Sequence, residues 1–553
     1  MSLKDLFIYK SDRVYKDFTI APPKKEDYNN KVNSYIKTEI KDKETVLYKD
    51  GKVSGKIEEN LAFIKDAFCT ERNFDVVIRE FSIPCAKGER KGFLFFYDGM
   101  ANKEFINRDI LGALLKNAQN LKAREIDEKM VYKSLISQAA LSQTDEMRQV
   151  LEFVAFGNCG IFVDGIPLAF VADVKGWSGR GVDKPVTEAV LTGPQEAFTE
   201  QVMTNISLVR KILKDPNLMS ENIQIGSKSK TPCALMYLNG LTNSSLVDEV
   251  RKRLSGIETE YIFSSSQVEM FIEESALFPL PQVLKTERPD RVASYLAEGK
   301  VAIIVQGSPF ALVLPATMPD LIEATEDNYV RTLEANFMRI VRIFGILISL
   351  LLPGTFVAIS LYHHESIPTD LLFAIEATRE VVPFPVVTEL LLMELSFELI
   401  KEASIRIPSP IGSTLGIVGG LILGQAAVSA NLVSPILIIV VSVAGLGAFA
   451  IPSVSLSRAI SFMRFVFIIL GALAGFLGLA LGLVVSLSAL SSRTSVGVPY
   501  LAPITPRGKR GMRRAVFVPP LWEREKRASF LKAKREYMQP QISRKWAQER
   551  EVE

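Results

Sequence analysis

A duplicated cytoplasmic domain of the α/β (or α+β) class, followed by an all-α polytopic membrane domain, is the architecture this sequence predicts. Three observations carry it. Charged residues are 23% of the 553 and hydrophobic residues 48%, which by themselves describe an ordinary globular chain, yet mean hydropathy is +0.18. The excess is local: no Asp, Glu, Lys or Arg occurs from Ile407 to Ser457, or from Phe465 to Ser492. A bilayer core takes only about 20 apolar residues to cross, so a wholly soluble chain is excluded. The third observation is that the charged half repeats itself.

The repeat is read from three aligned segments. FLFFYDGMANKEFI at 93–106 matches ALMYLNGLTNSSLV at 234–247; GIFVDGIPLAFV at 160–171 matches AIIVQGSPFALV at 302–313; ENLAFIKDAF at 59–68 matches TNISLVRKIL at 204–213. The offsets are 141, 142 and 145 residues, in the same order along the chain. Each copy reads as a helix, a buried strand, a turn (Asp98-Gly99 or Asn239-Gly240) with an Asn three residues beyond its Gly, a second helix, and a Gly-x-Pro hairpin. Residues 1–51 are then an N-terminal extension, 52–190 the first α/β module, and 191–335 the second. Two copies are too few for a solenoid, and no Gly-rich phosphate fingerprint appears.

Between the copies runs a hydrophilic joint, GWSGRGVDKPVTEAVLTGPQEAFTEQ at 176–201. Its Gly and Pro residues suit a connector. Arg180, Glu188 and Glu200 are its candidates for inter-module or subunit contact.

Residues 336–500 form the predicted transmembrane domain, with spans at about 343–362, 411–430, 433–451 and 465–490. Arg339 and Arg342 before the first span, and the basic tail after the last, place both ends of this half in the cytoplasm. Arg458 and Arg464 then fall on the outer side, against the rule. Helix 383–404 is amphipathic or re-entrant. Glu394, Glu398 and Glu402 line one face with Lys401, Glu389 lies nearer the start, and carboxylates at membrane depth need water or a partner. Glu394, Glu398 and Glu389 are therefore candidates for lining a pore or vestibule. Gly412, Gly416, Gly420 and Gly424 recur every four residues, a spacing that lets helices pack closely or oligomerise, and Gln425 beside them needs a polar partner. Gly471, Gly475, Gly478 and Gly482 are phased alike. Residues 501–553 make a basic cytoplasmic tail.

Other functions are disfavoured. Net charge is only +3, so no nucleic acid is expected. Cys69, Cys85, Cys159 and Cys233 are scattered and read as free thiols. His363 and His364 are the sole histidines, without metal-ligand spacing or a nucleophile motif, so neither catalysis nor a metal or cofactor is expected. Met1–Asp5 meets charge without an apolar h-region, an expectation of no signal peptide.

Several strings resemble a known family. In the joint and the helix after it these are Arg180, Pro185, Glu188, Gly193-Pro194, Phe198, Glu200, Asn205 and Arg210. Further on they are PFP at 383–385, MELSFELIKEASIRIPSPIG at 393–412, GIVGGLILGQAAV at 416–428, VSP at 433–435, Arg464-Phe465 and GVPYLAP at 497–503. Together they resemble the A-subunit family of bacterial spore germinant receptors, the GerA/SpoVAF family. The resemblance implies a multi-pass protein of the spore inner membrane that takes part in nutrient-triggered germination. It also implies a homo-oligomer forming a ligand-gated channel for monovalent cations. The implied partners are a transporter-like B subunit and a lipoprotein C subunit, or another germination membrane protein. An accessory SpoVAF-type channel and a secondary transporter subunit stay open as alternatives. The long C-terminal tail is not explained by the resemblance.

Overall fold

The computed structural model describes Ile20 and residues 51–86, 88–176, 184–275, 278–406, 424–505 and 516–539. Its charged half is built on two five-stranded sheets. The first comprises β1 (Val76–Pro84), β2 (Glu89–Tyr97), β3 (Leu141–Thr144), β4 (Cys159–Val163) and β5 (Ala169–Ala172), in the order β1-β2-β4-β5-β3. The second comprises β6 (Leu218–Ile225), β7 (Thr231–Leu238), β8 (Leu284–Thr286), β9 (Val301–Val305) and β10 (Ala311–Leu314), in the order β6-β7-β9-β10-β8. Neighbouring strands are antiparallel in both, so the α+β form of the predicted class is the one realised. Helix α1 (Ile57–Ala67) precedes β1 and α2 (Met147–Ala155) precedes β4; α3 (Val202–Ile212) and α6 (Pro289–Glu298) hold the same places before β6 and β9. Helices α4 (Ser244–Ser255) and α5 (Ser265–Ile272) lie between β7 and β8. Each sheet carries apolar clusters on both faces, which is why β4 and β9 are buried throughout their lengths.

The two units also share individual hydrogen bonds. Asn60 pins the backbone six residues upstream, accepting from Ser54 N–H at 2.9 Å and donating to Ser54 C=O at 2.7 Å. Asn205 does the same to Thr199, at 2.7 and 2.6 Å. Gly165 N–H donates to Gly55 C=O, and Gly307 N–H to Glu200 C=O. Gly99, Gly240, Gly165 and Gly307 all have φ between 76° and 83°, a region that glycine enters without steric cost.

The apolar half contains α7 (Thr332–Tyr362), α8 (Thr369–Arg379), α9 (Val386–Arg406), α10 (Pro435–Phe449) and α11 (Val454–Ser492). Helices α7 and α11 are long and apolar enough to cross a membrane, and α10 is a shorter apolar helix. The predicted span 343–362 lies in α7 and 433–451 covers α10, whereas 411–430 falls mostly outside the described residues.

The fourth predicted span, 465–490, is corrected. Ala474 (φ −143°) and Gly475 (φ 56°, ψ −139°) break α11 into two limbs. A Cβ on Gly482 would lie 2.6 Å from Leu470 Cδ1 and 3.4 Å from Phe467 Cε1, so the second limb folds back along the first. The limbs begin and end at the second α/β unit, where Leu456, Ala459 and Ile460 join its core and Leu490 packs against it. Their tip meets the far end of α7: Tyr362 OH donates to Ala472 C=O at 2.9 Å, and His363 stacks on Phe476 with ring centroids 4.7 Å apart. The turn lies inside an uncharged Gly/Ala/Leu run, so nothing in hydropathy marks it. Arg458 and Arg464 consequently sit on the limb that starts at the α/β unit.

Candidate functional site

Glu188 leads from the joint into a ladder of buried ion pairs. One of its carboxylate oxygens meets Arg291 Nη1 at 2.5 Å, the other accepts from Thr286 Oγ1 at 2.5 Å, and its carbonyl accepts from Arg288. Arg288 also donates to Pro194 C=O and pairs with Asp290 at 2.9 Å. Arg291 reaches on to the carbonyls of Asp320 and Glu323. Asp327 in the following turn holds Arg342 of α7 at 2.7 Å, while Arg339 stands 3.5 Å from both Asp327 and Glu323. Charges this buried persist only in such company. The ladder runs from the joint to the foot of α7. Glu200 contributes its carbonyl, and its side chain is exposed. Arg180 lies outside the described residues.

The contact between the two units rests on Arg210. Its guanidinium makes a bidentate pair with Asp75 at 2.6 and 2.9 Å, donates to Asn73 Oδ1 and Leu218 C=O, and lies 4.0 Å over the Tyr97 ring. Arg210 and Asp75 are both buried.

Three candidate carboxylates of α9 occupy different environments. Glu389 is buried at the start of α10, its Oε1 accepting from Ser434 N–H at 2.5 Å and its Oε2 lying 4.0 Å from Arg379. Glu394 is buried against Arg464 at 2.7 Å, and Arg464 also donates to Ser349 of α7 at 2.8 Å. This triad joins α7, α9 and the first limb of α11. Glu398 is one-third exposed, 3.8 Å from Lys401. With Leu395, Leu399, Lys401, Glu402 and Arg458 it lines an outward groove of about 310 Å³.

Among the described residues, close helix packing is seen at glycines of α7, α10 and α11. A Cβ on Gly345 of α7 would stand 2.9 Å from Gly447 O, and one on Gly471 would stand 2.6 Å from Gly354 O, so backbone meets backbone at both crossings. Gly412, Gly416 and Gly420 lie outside the described residues. Gly424 makes ordinary contact with Ile438, and Gln425 is exposed. Among the described residues no group of three His, Cys, Asp or Glu side chains is placed to hold a metal.

Residues 62–530 match the family model of the Bacillus/Clostridium GerA spore germination protein. The chain is 36% identical over 456 residues to Spore germination protein KA of Bacillus subtilis (strain 168), covering 82% of this chain and 83% of that protein. It is 34% identical over 474 residues to Uncharacterized membrane protein YfkQ of the same organism, covering 86% and 90%. The crystal structure of the N-terminal domain of the A subunit of the Bacillus megaterium spore germinant receptor GerK3 aligns with a TM-score of 0.38 and 30% identity, over 49% of this chain and 99% of that one.

Proposed function

The chain belongs to the GerA spore germination family, and from that premise we propose that it is the A-type membrane subunit of a nutrient germinant receptor. In this reading several copies enclose a gated path for monovalent cations in the spore inner membrane, acting with a transporter-like B subunit and a lipoprotein C subunit. The directions of the described helices support crossings outward by α7, back by α9 and by α10, and outward and back by the two limbs of α11. Both ends of the bundle then lie on the side of the α/β units, with Arg458 and Arg464 nearer that side, as the charge rule for membrane proteins asks.

The observation that carries the reading is the division of labour on α9. Glu389 and Glu394 are buried against partners inside the chain, whereas Glu398, one-third exposed beside Lys401, and Glu402 line an open groove. Carboxylates on an outward face of a membrane bundle need water or a neighbouring copy, and a ring of them concentrates cations. Glu389 and Glu394 then shape the wall from behind.

The test is single-channel recording on the purified chain in planar bilayers. Glu398→Gln with Glu402→Gln is expected to lower cation over anion permeability at low salt and to matter less at high salt, where charge focusing is screened. Unchanged selectivity at both salts sinks the assignment of these two carboxylates.

A further inference from the structure

The C-terminal segment 516–539 belongs to neither α/β unit nor to the helical bundle, yet it is tied to both. Its far end is built into the second unit. In the first unit, residues 174–176 line the turn after β2: Asn102 N–H donates to Val174 C=O at 2.7 Å and Gly176 N–H to Met100 C=O at 3.0 Å. The equivalent turn after β7 is lined by the tail instead. Lys534 N–H donates to Leu241 C=O at 2.8 Å, and Asn243 Nδ2 to Lys532 C=O at 3.0 Å. Leu531 is buried and Arg527 donates to Ala297 C=O, so this end is locked.

The near end grips the foot of α7. Asn336 accepts from Val518 N–H at 2.6 Å and donates to Val518 C=O at 3.2 Å, and Arg524 donates to Asn328 at 2.8 Å. Beside this clasp the segment exposes three large apolar side chains: Phe517 at 44%, Leu521 at 60% and Trp522 at 45%. Helix α7 exposes Leu333 (85%) and Phe337 (62%) on either side of Asn336 in sequence, and the same stripe continues upward through Ile340, Phe344 and Leu347. At 100° per residue Asn336 stands about 60° from Leu333, at the edge of that stripe. Helix α7 has 31 residues; at 1.5 Å each it is about 46 Å long, roughly 16 Å more than a bilayer core. The excess lies at its ends, so its first turns reach the interfacial layer. Trp and Leu beside polar backbone suit that layer, where one edge of a side chain is dry and the other wet.

We propose that residues 517–522 are a membrane-surface anchor, with Phe517, Leu521 and Trp522 seated in the interfacial layer of the leaflet on the α/β side, next to Leu333 and Phe337. The occupant of this apolar face is lipid, because the face is continuous with the stripe that α7 turns outward along its length. The strap thereby holds the second α/β unit at a set height above the bilayer. This rests on the reading that α7 spans the membrane.

The test uses the full chain in phosphatidylcholine/phosphatidylglycerol nanodiscs, with bromines placed either shallow or deep on the acyl chains. Of the three tryptophans, Trp177 and Trp546 are replaced by Phe, leaving Trp522. Loss of Trp522 emission with the shallow bromolipid, little with the deep one, and protection from aqueous iodide is the expected result. Quenching by iodide but not by bromolipid would overturn the anchor in favour of water, and shielding from both would overturn it in favour of a protein neighbour. In a second variant, Leu347→Trp with all three native tryptophans replaced by Phe reports the span itself. Deep quenching there without shallow quenching of Trp522 rejects the anchor alone, and no quenching at either position rejects the spanning reading. Phe517→Glu with Leu521→Glu is expected to abolish the shallow quenching of Trp522, and quenching that persists would also overturn the proposal.

Discussion

The two α/β units share a hydrogen-bonding plan and diverge at the end where they meet. Asp75 and Asn217 hold equivalent positions ahead of β1 and β6, and both carbonyls accept from the turn after the next strand: Asp98 N–H at 2.7 Å in the first unit and Asn239 N–H at 2.9 Å in the second. The side chains have parted ways. Asn217 donates to its neighbour Asp215, whereas Asp75 is buried against Arg210 of the other unit. The position equivalent to Arg210 is Lys65, which pairs with Glu80 at 3.6 Å on the surface. One duplicated scaffold thus yields an asymmetric contact, in which a buried acid from the first copy meets a buried base from the second. Repetition preserves what the backbone needs, and divergence falls on side chains that face the other copy.

The largest expected effect breaks that asymmetry. Arg210→Met strands a buried Asp75 carboxylate and is expected to cost about 3–5 kcal/mol, the penalty for removing one partner of a buried pair. Lys65→Met, at the equivalent exposed position, is expected to cost under about 1 kcal/mol. Asp75→Leu combined with Arg210→Met should recover much of the loss, since no orphan charge remains. Denaturant unfolding of the full chain, followed through amide exchange of β1 and β6, measures all three. Equal costs for Arg210→Met and Lys65→Met would mean that the contact is not differentiated.

A smaller effect tests what the copies still have in common. Asn60→Ala removes two hydrogen bonds from a buried amide and Asn205→Ala three, the third from the Thr199 hydroxyl, and each is expected to cost about 1–3 kcal/mol. The readout is protection of the Ser54 and Thr199 amides. The shared plan predicts similar losses of protection at the two sites. A loss at one alone would show that the likeness is geometric without being energetic.

The repeat was legible because Asn60, Asn205 and the turn glycines have backbone duties that few other residues can perform. Pairs made between side chains far apart in sequence left no such mark. Asp75 and Arg210 are 135 residues apart, and Glu394 and Arg464 are 70 apart. Arg464 read alone is a misplaced charge; the limb that carries it starts at the α/β unit, where α10 returns, and the reversal at Gly475 lets α11 end there too. That reversal was hidden because Ala and Gly are as apolar as the helix around them, and hydropathy does not record φ. Glycine periodicity marked Gly471 but not the residue it meets: the glycines at the described backbone crossings, Gly345 with Gly447 and Gly354 with Gly471, lie on different helices, a pairing that periodicity within one helix does not record. The acidic face of α9 was legible as a face, but sequence offered no means of separating Glu394, which finds Arg464, from Glu398, which does not.

The smallest expected effect is a pH response confined to the second unit. Helix α5 ends at Glu273, whereas the corresponding helical turn of the first unit ends at the buried Ile136. Burial, and then the charge of Glu269 one turn earlier, push the Glu273 carboxyl up to about 7, against the opposing pull of the Gln282 amide and Lys285. The folded state therefore holds this proton more tightly than the unfolded chain does. Its contribution to stability is fully present at pH values below the ordinary carboxylate range and is lost as pH rises toward about 7. Above that, the unit carries a charged carboxylate beside Glu269 and gains nothing further from alkalinity. Amide exchange of α5 and β8 in the full chain should accelerate, beyond the intrinsic pH dependence of exchange, from pH 5 to pH 7.5, while the helical turn at 131–135 stays level. Glu273→Gln should reduce the slope at α5 and β8 and leave the first unit unchanged. Glu298 at the end of α6, whose carboxyl burial also pushes up to about 7, supplies the remaining slope of the second unit. If Glu273→Gln keeps the slope, the proton resides elsewhere. If the turn at 131–135 loosens in parallel, the two units respond as one body and the contrast between them does not extend to protonation.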